Sequence, residues 1–192
     1  VLDDKAPGQF EIEIQLLSEY CDKHNGGQPI IKHALMDHVA DGRIEMSQMY
    51  TYTLAKVCPD LDVFDLPFLF RDHDHADRVF EGPIGQKMLN GYSRPDSQIQ
   101  GLAFTYSGGF RAIIGNKVIE SIDDIQGQRV RVAHCPVAED TLRAFGAEPV
   151  VMPIEQLRDA IGAGSVDAGE STYPRIYGMN QNETASVINH TE

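Results

Sequence analysis

The chain has 192 residues, a formal net charge of −13 and a hydrophobic content of 42%. That hydrophobic content indicates a folded globular protein rather than a disordered one, and the length suits one large domain or two small lobes. The negative charge disfavours nucleic acid as a partner, because a phosphate backbone is also anionic. Crossing a membrane takes roughly 18 apolar residues in a row, and no such run is present, so we expect no membrane insertion.

The cysteines and the first residues give two further expectations. Cys21, Cys58 and Cys135 are odd in number and widely spaced, with no CxxC pair and no zinc-ligand spacing. We therefore interpret them as buried thiols. The opening Val1-Leu-Asp-Asp shows no signal peptide and is not a natural start, which predicts processing or truncation.

The first 70 residues predict short elements separated by turns. Residues 10–15 alternate like a strand, although the same apolar residues could equally begin a helix that continues to Tyr20. A helix is predicted over 31–40, and then a strand over 44–50 that ends in a polar and aromatic loop. The apolar run 61–70 contains a proline, which rules out a central strand, so we predict a buried loop or a sheet edge.

The next 45 residues alternate helical and extended patterns. Asp72 is a predicted N-cap. The predicted elements are helices over 73–80 and 86–92, a strand over 99–105, a tight turn over 107–111 and a strand over 112–114.

Residues 121–152 are the stretch around which the rest is organised. They predict a strand over 130–133, a helix over 138–145 and a strand over 149–152, with Gly146 suited to a left-handed helix stop. Strand, helix and strand within about 25 residues form a βαβ unit, which implies parallel strands and a right-handed crossover.

The remaining residues repeat that alternation. They predict a helix over 154–161, a strand over 166–170, a helix over 173–179 and a strand over 187–190. Strands and helices that alternate along the whole chain predict the α/β class.

Arg131 is the first candidate functional residue. Ligands of open parallel sheets bind outside the carboxyl ends of the strands, and Arg131 lies near such an end. An arginine there is poorly placed for packing and well placed to hold an anion, although a surface ion pair is the alternative. We interpret Arg129, two residues earlier on the same side of the strand, as solvated.

Other reactive residues give weaker signals. In the cluster 73–77 only His73 and Asp77 would share a helix face, so we favour a solvated helix start over a metal site. Cys135 has no implied histidine and asparagine partners, which disfavours a nucleophile. No P-loop, GxSxG or dinucleotide fingerprint is present. We therefore predict no metal, no cofactor and no catalytic residue.

An ordered set of motifs resembles a known family. The motifs are residues 58–72 (CPDLDVFDLPFLFRD), 82–86 (GPIGQ), 109–117 (GFRAIIGNK), 122–132 (IDDIQGQRVRV), 146–153 (GAEPVVMP) and 164–170 (GSVDAGE). Together, over roughly residues 34–191, they resemble the solute receptors of TRAP transporters, the DctP-like extracytoplasmic binding proteins.

The resemblance implies a two-lobed, periplasmic-binding-protein-like α/β fold with mixed, mainly parallel sheets and a central cleft that closes on an organic acid. Lobe one would cover residues 1–115 and lobe two residues 116–187. A hinge strand would lie near 110–118, and residues 188–192 would begin the return to lobe one. Family members are usually longer, so we expect lobe one to be incomplete and the C-terminal part to be missing. The sequence would then be a fragment, or part of a protein that further residues or a partner chain complete.

The resemblance also implies how an acid is gripped. The main clamp is the arginine at the end of the lobe-two strand, here Arg131, whose planar fork matches a carboxylate. A second arginine, here Arg111, follows the glycine turn. Its alternative role is to pair with Glu170 or with a loop carbonyl. Glu170 itself is interpreted as a positioning group for an arginine rather than a catalytic acid.

The remaining implied contacts are polar or aromatic. Ser171 occupies a position that is often asparagine in the family, and a helix cap is its alternative role. Phe64 or Phe68 is a candidate for the cleft wall, with core packing as the alternative. The loop at the mouth of lobe one is expected to contribute from Tyr50, Thr51 and Tyr52.

The function implied is that of a periplasmic receptor that captures a small carboxylate and delivers it to the membrane subunits of a TRAP transporter. One alternative is an extracytoplasmic sensing domain for a signalling partner. A second alternative is an enzyme on the same fold, which would need a nucleophile, a metal or an acid–base pair in the cleft. The sequence does not name the carboxylate.

Overall fold

A computed structural model describes residue 8 and residues 12–28, 30, 34–91 and 98–191. The chain divides into two compact units, residues 1–48 and 49–192. The division of the chain into lobes at residues 115 and 187 stays a prediction. In the part that the structure describes, no helix is long and apolar enough to cross a membrane.

The first unit contains helices α1 (Leu17–His24) and α2 (Ala34–Ala40). Its small core gathers the buried side chains of Tyr20, Cys21 and Ile30, and the Tyr20 hydroxyl lies 2.8 Å from Nδ1 of His38. Of the two alternatives for the first residues, a helix does extend past residue 20, and residues 12–16 form no strand. Residues 10–11 of the first predicted element and residues 31–33 of the helix predicted over 31–40 lie outside the described residues.

The second unit begins with short helices. The Asp72 carboxylate accepts a hydrogen bond of 2.6 Å from the backbone N–H of His75, which confirms the predicted cap. A proline occupies the first turn of two of these helices, where a missing N–H costs nothing. The helices are α3 (Thr51–Leu54), a 3₁₀ helix (Pro59–Asp65), α4 (His73–Glu81) and α5 (Pro83–Asn90). Residue 92, the predicted end of α5, lies outside the described residues.

A five-stranded sheet forms the centre of this unit. Its strands are β1 (Ala112–Gly115), β2 (Arg129–Val132), β3 (Glu148–Val151), β4 (Ala168–Ser171) and β5 (Val187–His190). The spatial order is β3-β2-β4-β1-β5. Strand β2 is parallel to β3 and to β4, whereas β1 is antiparallel to β4 and β5. The predicted mixed, mainly parallel sheet is therefore confirmed.

Helices cover both faces of the sheet. Ile113 and Ile114 are adjacent in β1 but pack in different apolar clusters, and successive side chains of a strand point to opposite faces. One cluster includes Leu157 and Ile176, and the other includes Leu142 and Val130. The helices are α6 (Ile122–Ile125), α7 (Pro136–Ala144), α8 (Leu157–Gly162) and α9 (Tyr173–Gly178), with 3₁₀ turns at Ile154–Gln156 and Gln181–Glu183.

The connections reverse direction at β2. The chain passes from β2 through α7 to β3 on one side, and then returns through α8 to β4 on the other side. In open α/β sheets a ligand crevice forms outside the carboxyl ends of the strands where such a reversal occurs. The strand order therefore makes the edge beyond the ends of β2 and β4 the expected place for a ligand.

Two predicted strands and one burial prediction are wrong. Residues 44–50 and residues 99–105 form no strand. Alternation of apolar residues does not supply a neighbouring strand, and in the second run Ile99 and Phe104 pack into an apolar cluster with Leu61 instead. The run 61–70 is a 3₁₀ helix and a loop, as the proline indicated, but Leu66 and Phe68 in it are exposed rather than buried.

Candidate functional site

The sheet edge beyond β2 and β4 brings together the main predicted residues. Arg131 is the third of the four residues of β2, and Glu170 is the third of the four residues of β4. Arg111 directly precedes β1, whose first residue, Ala112, pairs with Ser171. Because β1 is antiparallel to β4, its start lies at the same edge as the end of β4. Two arginines and one carboxylate are thus collected at the predicted crevice.

Arg131 is almost fully enclosed, with 4% of its side chain exposed. Its Nε donates to the carbonyl of Met152 at 2.9 Å, and its Nη1 donates to the carbonyl of Glu170 at 3.3 Å. No acceptor for Nη2 is found among the described residues. Burial lowers the pKa of Arg131, but an arginine does not lose its proton in a protein. The structure thus holds an oriented positive charge with a donor to spare.

Glu170 links the two arginines. Its Oε1 lies 3.5 Å from Nη1 of Arg131, and its Oε2 accepts a short hydrogen bond from Nε of Arg111. Partial burial lowers the pKa of Arg111 and the Glu170 carboxylate raises it, with a net upward direction. The structure shows the alternative role for Arg111, a pair with Glu170, while 43% of the Arg111 side chain stays exposed.

A third arginine, Arg175, joins the site from α9. Its Nη2 donates to the hydroxyl of Tyr50 and, at 3.1 Å, to Oγ of Ser107. Its guanidinium also lies 5.5 Å from the centre of the Tyr50 ring, a cation–π distance. The charge of Arg175 contributes to the lowered pKa of Arg131, so the two groups act on one another.

Two residues of the loop predicted at the mouth of lobe one, Tyr50 and Tyr52, lie near the arginines of this site. The rings of Tyr50 and Tyr52 stack with centres 5.4 Å apart and planes at 9°. Burial raises the pKa of the Tyr52 hydroxyl, and the neighbouring Tyr50 raises it further. The Oγ1 of Thr51 donates to Oδ1 of Asp65 at 3.0 Å.

Asp65, like Arg175, was not a candidate in the sequence analysis. Its Oδ2 is buried and has no hydrogen-bond partner among the described residues. Burial raises the pKa of Asp65 to about 6, while the hydrogen bond from Thr51 and the charge of Arg111 lower it. The charge of Glu170 also acts on Asp65, so this carboxyl belongs to the same group of charges.

Cys135 lies beside these groups but is not activated. The thiol is buried and free, and burial raises its pKa to about 11. A thiol with that pKa is protonated at neutral pH and is a poor nucleophile. Cys21 and Cys58 are also buried and free, so the interpretation of all three as buried thiols is confirmed.

Two predicted ligand contacts lie in packed environments. Ser171 is fully buried and its Oγ donates to Oε1 of Gln181 at 2.8 Å. Phe64 packs in an aromatic cluster with Phe80 and Phe104, at ring distances of 5.1 and 5.4 Å. The alternative for Phe64, core packing, is the one that the structure shows, and Ser171 binds the 3₁₀ helix that follows α9 rather than capping a helix.

Arg129 is not simply solvated, which corrects one expectation. Its guanidinium donates to both carboxylate oxygens of Asp167, at 3.1 and 2.8 Å, and to the carbonyls of Gly164 and Ser165. His73, from the cluster weighed as a metal site, contacts the rings of Tyr106 and Phe110. In the described ranges no group of three metal-ligating side chains occurs.

The two residues that sequence reasoning missed carried weak signals. Asp65 is the one charged residue of the stretch 63–70, and a charged residue in such a place is a candidate for a functional site. Arg175 lies one turn after the end of β4, near the carboxyl edge of the sheet. Its partner Tyr50 is 125 residues away in sequence, so this contact could not be read from local spacing.

Comparisons with known proteins place the chain in a family. The model described as "Bacterial extracellular solute-binding protein, family 7" matches residues 20–192. The C4-dicarboxylate-binding periplasmic protein DctP of Rhodobacter capsulatus is 33% identical over 150 residues, which cover 74% of this chain and 44% of that protein.

Solved structures similar to this chain are consistent with that family. The sugar acid binding protein of Advenella mimigardefordensis in complex with galactonate is 29% identical, with a TM-score of 0.72 over 90% of this chain and 58% of that one. An open apo TRAP periplasmic solute-binding protein of Citrobacter koseri is 28% identical, with a TM-score of 0.73 over 81% of this chain and 52% of that one. The chain thus spans about half the length of these relatives, and the predicted periplasmic-binding-protein-like α/β fold is confirmed. The chain belongs to family 7 of the bacterial extracellular solute-binding proteins.

Proposed function

We propose that this chain is the ligand-binding part of a periplasmic receptor that captures a small organic acid for the membrane subunits of a TRAP-type transporter. The observation that carries the proposal is the buried Arg131 guanidinium at the crevice between the ends of β2 and β4. A planar guanidinium can bind a carboxylate through two parallel hydrogen bonds, and burial strengthens that attraction because water does not screen it.

The local charge supports an anionic ligand. Arg111, Arg131 and Arg175 act on one another or on shared partners at this edge, against the carboxylate of Glu170. The whole chain carries a net charge of −13. A cluster of positive groups inside an acidic protein is a focused site for an anion, because the general field of the protein would repel it.

The relatives support the class of ligand and the cellular setting. Their descriptions name C4-dicarboxylates in Rhodobacter capsulatus, galactonate in Advenella mimigardefordensis and 2,3-diketo-L-gulonate in Escherichia coli, all of them organic acids. The first and the last of these relatives are periplasmic proteins. The protonated Cys135 thiol fits a receptor that performs no covalent chemistry, and we assign this chain no catalytic step.

Ligand capture would use the two predicted lobes. Tyr50 and Ser107 fall in predicted lobe one (1–115), whereas Arg175 falls in predicted lobe two (116–187). Their hydrogen bonds would then form as the lobes close about the hinge strand near residues 110–118. Closure would bury the acid and exclude water from the arginines.

Thermal-shift and calorimetric titrations with a panel of sugar acids and C4-dicarboxylates test the proposal. At least one acid should stabilise the unaltered protein, and Arg131→Ala should weaken its binding by on the order of 2–5 kcal/mol, because the carboxylate is then buried without its partner. Arg129→Ala is the matched control, since Arg129 lies on the same strand and pairs with Asp167. Equal binding of the acid by the protein and by Arg131→Ala would contradict the proposal.

A further inference from the structure

Phe68 has a backbone conformation and an environment that are both unfavourable for a phenylalanine. Its φ of 58° lies in the left-handed region, where a residue other than glycine is strained. Phe68 is also 69% exposed, although it lies in the apolar run 66–70. Strained backbone in folded proteins is concentrated at functional positions. The ring of Phe68 is therefore a candidate for a functional contact.

The contact that the structure shows for this ring is with Phe145, at the end of α7. The two ring centres lie 6.4 Å apart with their planes at 39°, which is within the range of aromatic pairs. Phe145 is the C-cap residue of α7 and is half-buried. Because Phe68 keeps most of its surface in water at this distance, the pair still has apolar area to bury. A closer approach of the two rings would therefore be favourable.

An open groove of about 420 Å³ lies beside this pair. The residues that line it are Leu66 and Pro67 on one side and, on the other, Val137, Asp140, Thr141, Ala144 and Phe145 of α7 and its end. The carboxylate of Asp140 is paired with Arg143 at 2.7 Å, and the hydroxyl of Thr141 donates to the carbonyl of Val137 at 2.8 Å. The groove thus presents apolar side chains and polar groups that already have partners, which suits a hydrophobic contact better than a polar ligand.

The two sides of the groove belong to different predicted lobes. Residues 66–68 fall in predicted lobe one (1–115), whereas α7 and Phe145 fall in predicted lobe two (116–187). Helix α7 begins four residues after the end of β2, the strand that holds Arg131. The 3₁₀ helix that precedes Leu66 lies close to the start of α7, since the charge of Asp65 acts on the thiol of Cys135. We therefore expect closure of the lobes on an acid at Arg131 to narrow this groove as well.

We propose that Phe68 is a latch for the closed receptor: when the lobes close on an acid, its ring packs into the groove against Phe145, and release of the acid requires that contact to break. This inference rests on the proposed function, because it needs an acid at Arg131 and lobes that close on it. It gives Phe68 a role in retaining the acid and none in contacting it. Full burial of a phenylalanine side chain shifts an equilibrium by roughly tenfold or more, and such differences in affinity appear mainly in the dissociation rate.

Phe68→Gly tests the latch without a cost to the fold. Glycine adopts the left-handed conformation freely, and the ring that it lacks is mostly exposed, so the variant without acid should be about as stable as the unaltered protein in urea unfolding. Surface plasmon resonance with D-galactonate, D-glucuronate and succinate as probes measures binding. The tightest-binding probe should leave Phe68→Gly at least tenfold faster, with an association rate constant within threefold of the unaltered one. Leu102→Ala, at a residue that is also 69% exposed but lies outside the groove, should release it at the unaltered rate.

Phe145→Ala tests the other half of the contact. It should also speed release, and adding Phe68→Gly to it should change the rate by less than a further threefold, because the two rings form one contact. If Phe145→Ala does not fold, since Phe145 also packs against a core cluster, Phe68→Gly and Leu102→Ala decide. The latch is overturned, while acid capture stands, if Phe68→Gly releases the acid at the unaltered rate, if Leu102→Ala speeds release equally, or if Phe68→Gly is markedly less stable without acid. Binding of none of the probes or of any other carboxylate would contradict the proposed function and the latch with it.

Discussion

At the scale of single residues, two arginines of one strand differ because of their surroundings. Arg129 and Arg131 both project from β2, two residues apart. Arg129 is satisfied by Asp167 and two carbonyls near the protein surface. Arg131 is buried and keeps an Nη2 for which no described residue supplies an acceptor. The residue type is the same, so the position along the strand decides which one can serve a ligand.

Ser171 gives a prediction at this scale. Its hydroxyl donates to the buried Gln181, so Ser171→Ala should leave the Gln181 oxygen unpaired and lower the free energy of unfolding by about 1–3 kcal/mol. Ligand affinity should change less than threefold. Urea unfolding and calorimetry measure the two effects. Ser18→Ala, at an exposed residue of α1, should change the stability by no more than about 0.5 kcal/mol. An affinity loss without a stability loss in Ser171→Ala would instead restore Ser171 as a ligand contact.

At the scale of elements, β4 approaches α8 so closely that only glycine fits at residue 169. A Cβ on Gly169 would lie 2.4 Å from Cδ1 of Leu157 and 3.2 Å from Cβ of Arg131. Leu157 is fully buried, so its methyl groups could move only by displacing other core side chains. The packing of this strand against this helix therefore also sets the position of Arg131.

Gly169→Ala should consequently destabilise the protein by about 1–3 kcal/mol, the usual cost of overpacking, and should weaken acid binding. Chemical denaturation and calorimetry on the purified variant provide the measurements. Gly178→Ala is the matched control, because nothing lies within 4 Å of its added Cβ at the end of α9. The account of this contact is wrong if Gly169→Ala is as stable as Gly178→Ala.

The elements also show how far the sequence can predict the fold. Each of the strands β1 to β5 coincides with a run that the sequence predicted as a strand. These predictions succeed because each run has a neighbouring strand in the sheet. Residues 44–50 and 99–105 show similar alternation but form no strand, because periodicity does not reveal whether a neighbour exists. Boundaries moved by one to three residues, as with the helix predicted at 138–145, which spans Pro136–Ala144.

Sequence patterns identified some residues of the candidate site and missed others, because long-range contacts are also not visible in local patterns. Arg131 could be predicted because a strand end is a local feature whose functional meaning follows from the topology. Asp65 and Arg175 could not, because their roles depend on contacts with residues far away in sequence, such as Arg175 with Tyr50. Ser171 was predicted as a ligand contact from its position after Glu170, and this stays a prediction; the structure shows that its hydroxyl donates to Gln181, a contact that local spacing does not reveal.

At the scale of the whole molecule, a strongly acidic chain builds a positive crevice at one edge of its sheet. The net charge of −13 contrasts with three arginines that share the edge with Glu170. This contrast favours a small acid that enters a defined pocket over a polyanion that spreads across a surface. The chain spans about half the length of its relatives, so the closing motion of the complete receptor is part of the proposal.

The most direct test is a crystal structure of the protein with its tightest-binding acid. We predict that a ligand carboxylate oxygen lies within about 3 Å of a terminal guanidinium nitrogen of Arg131, in the range of charged hydrogen bonds. We also expect Arg131 to keep its bond to the Met152 carbonyl. An acid bound elsewhere on the molecule, with the Arg131 guanidinium contacting only protein atoms, would contradict the account.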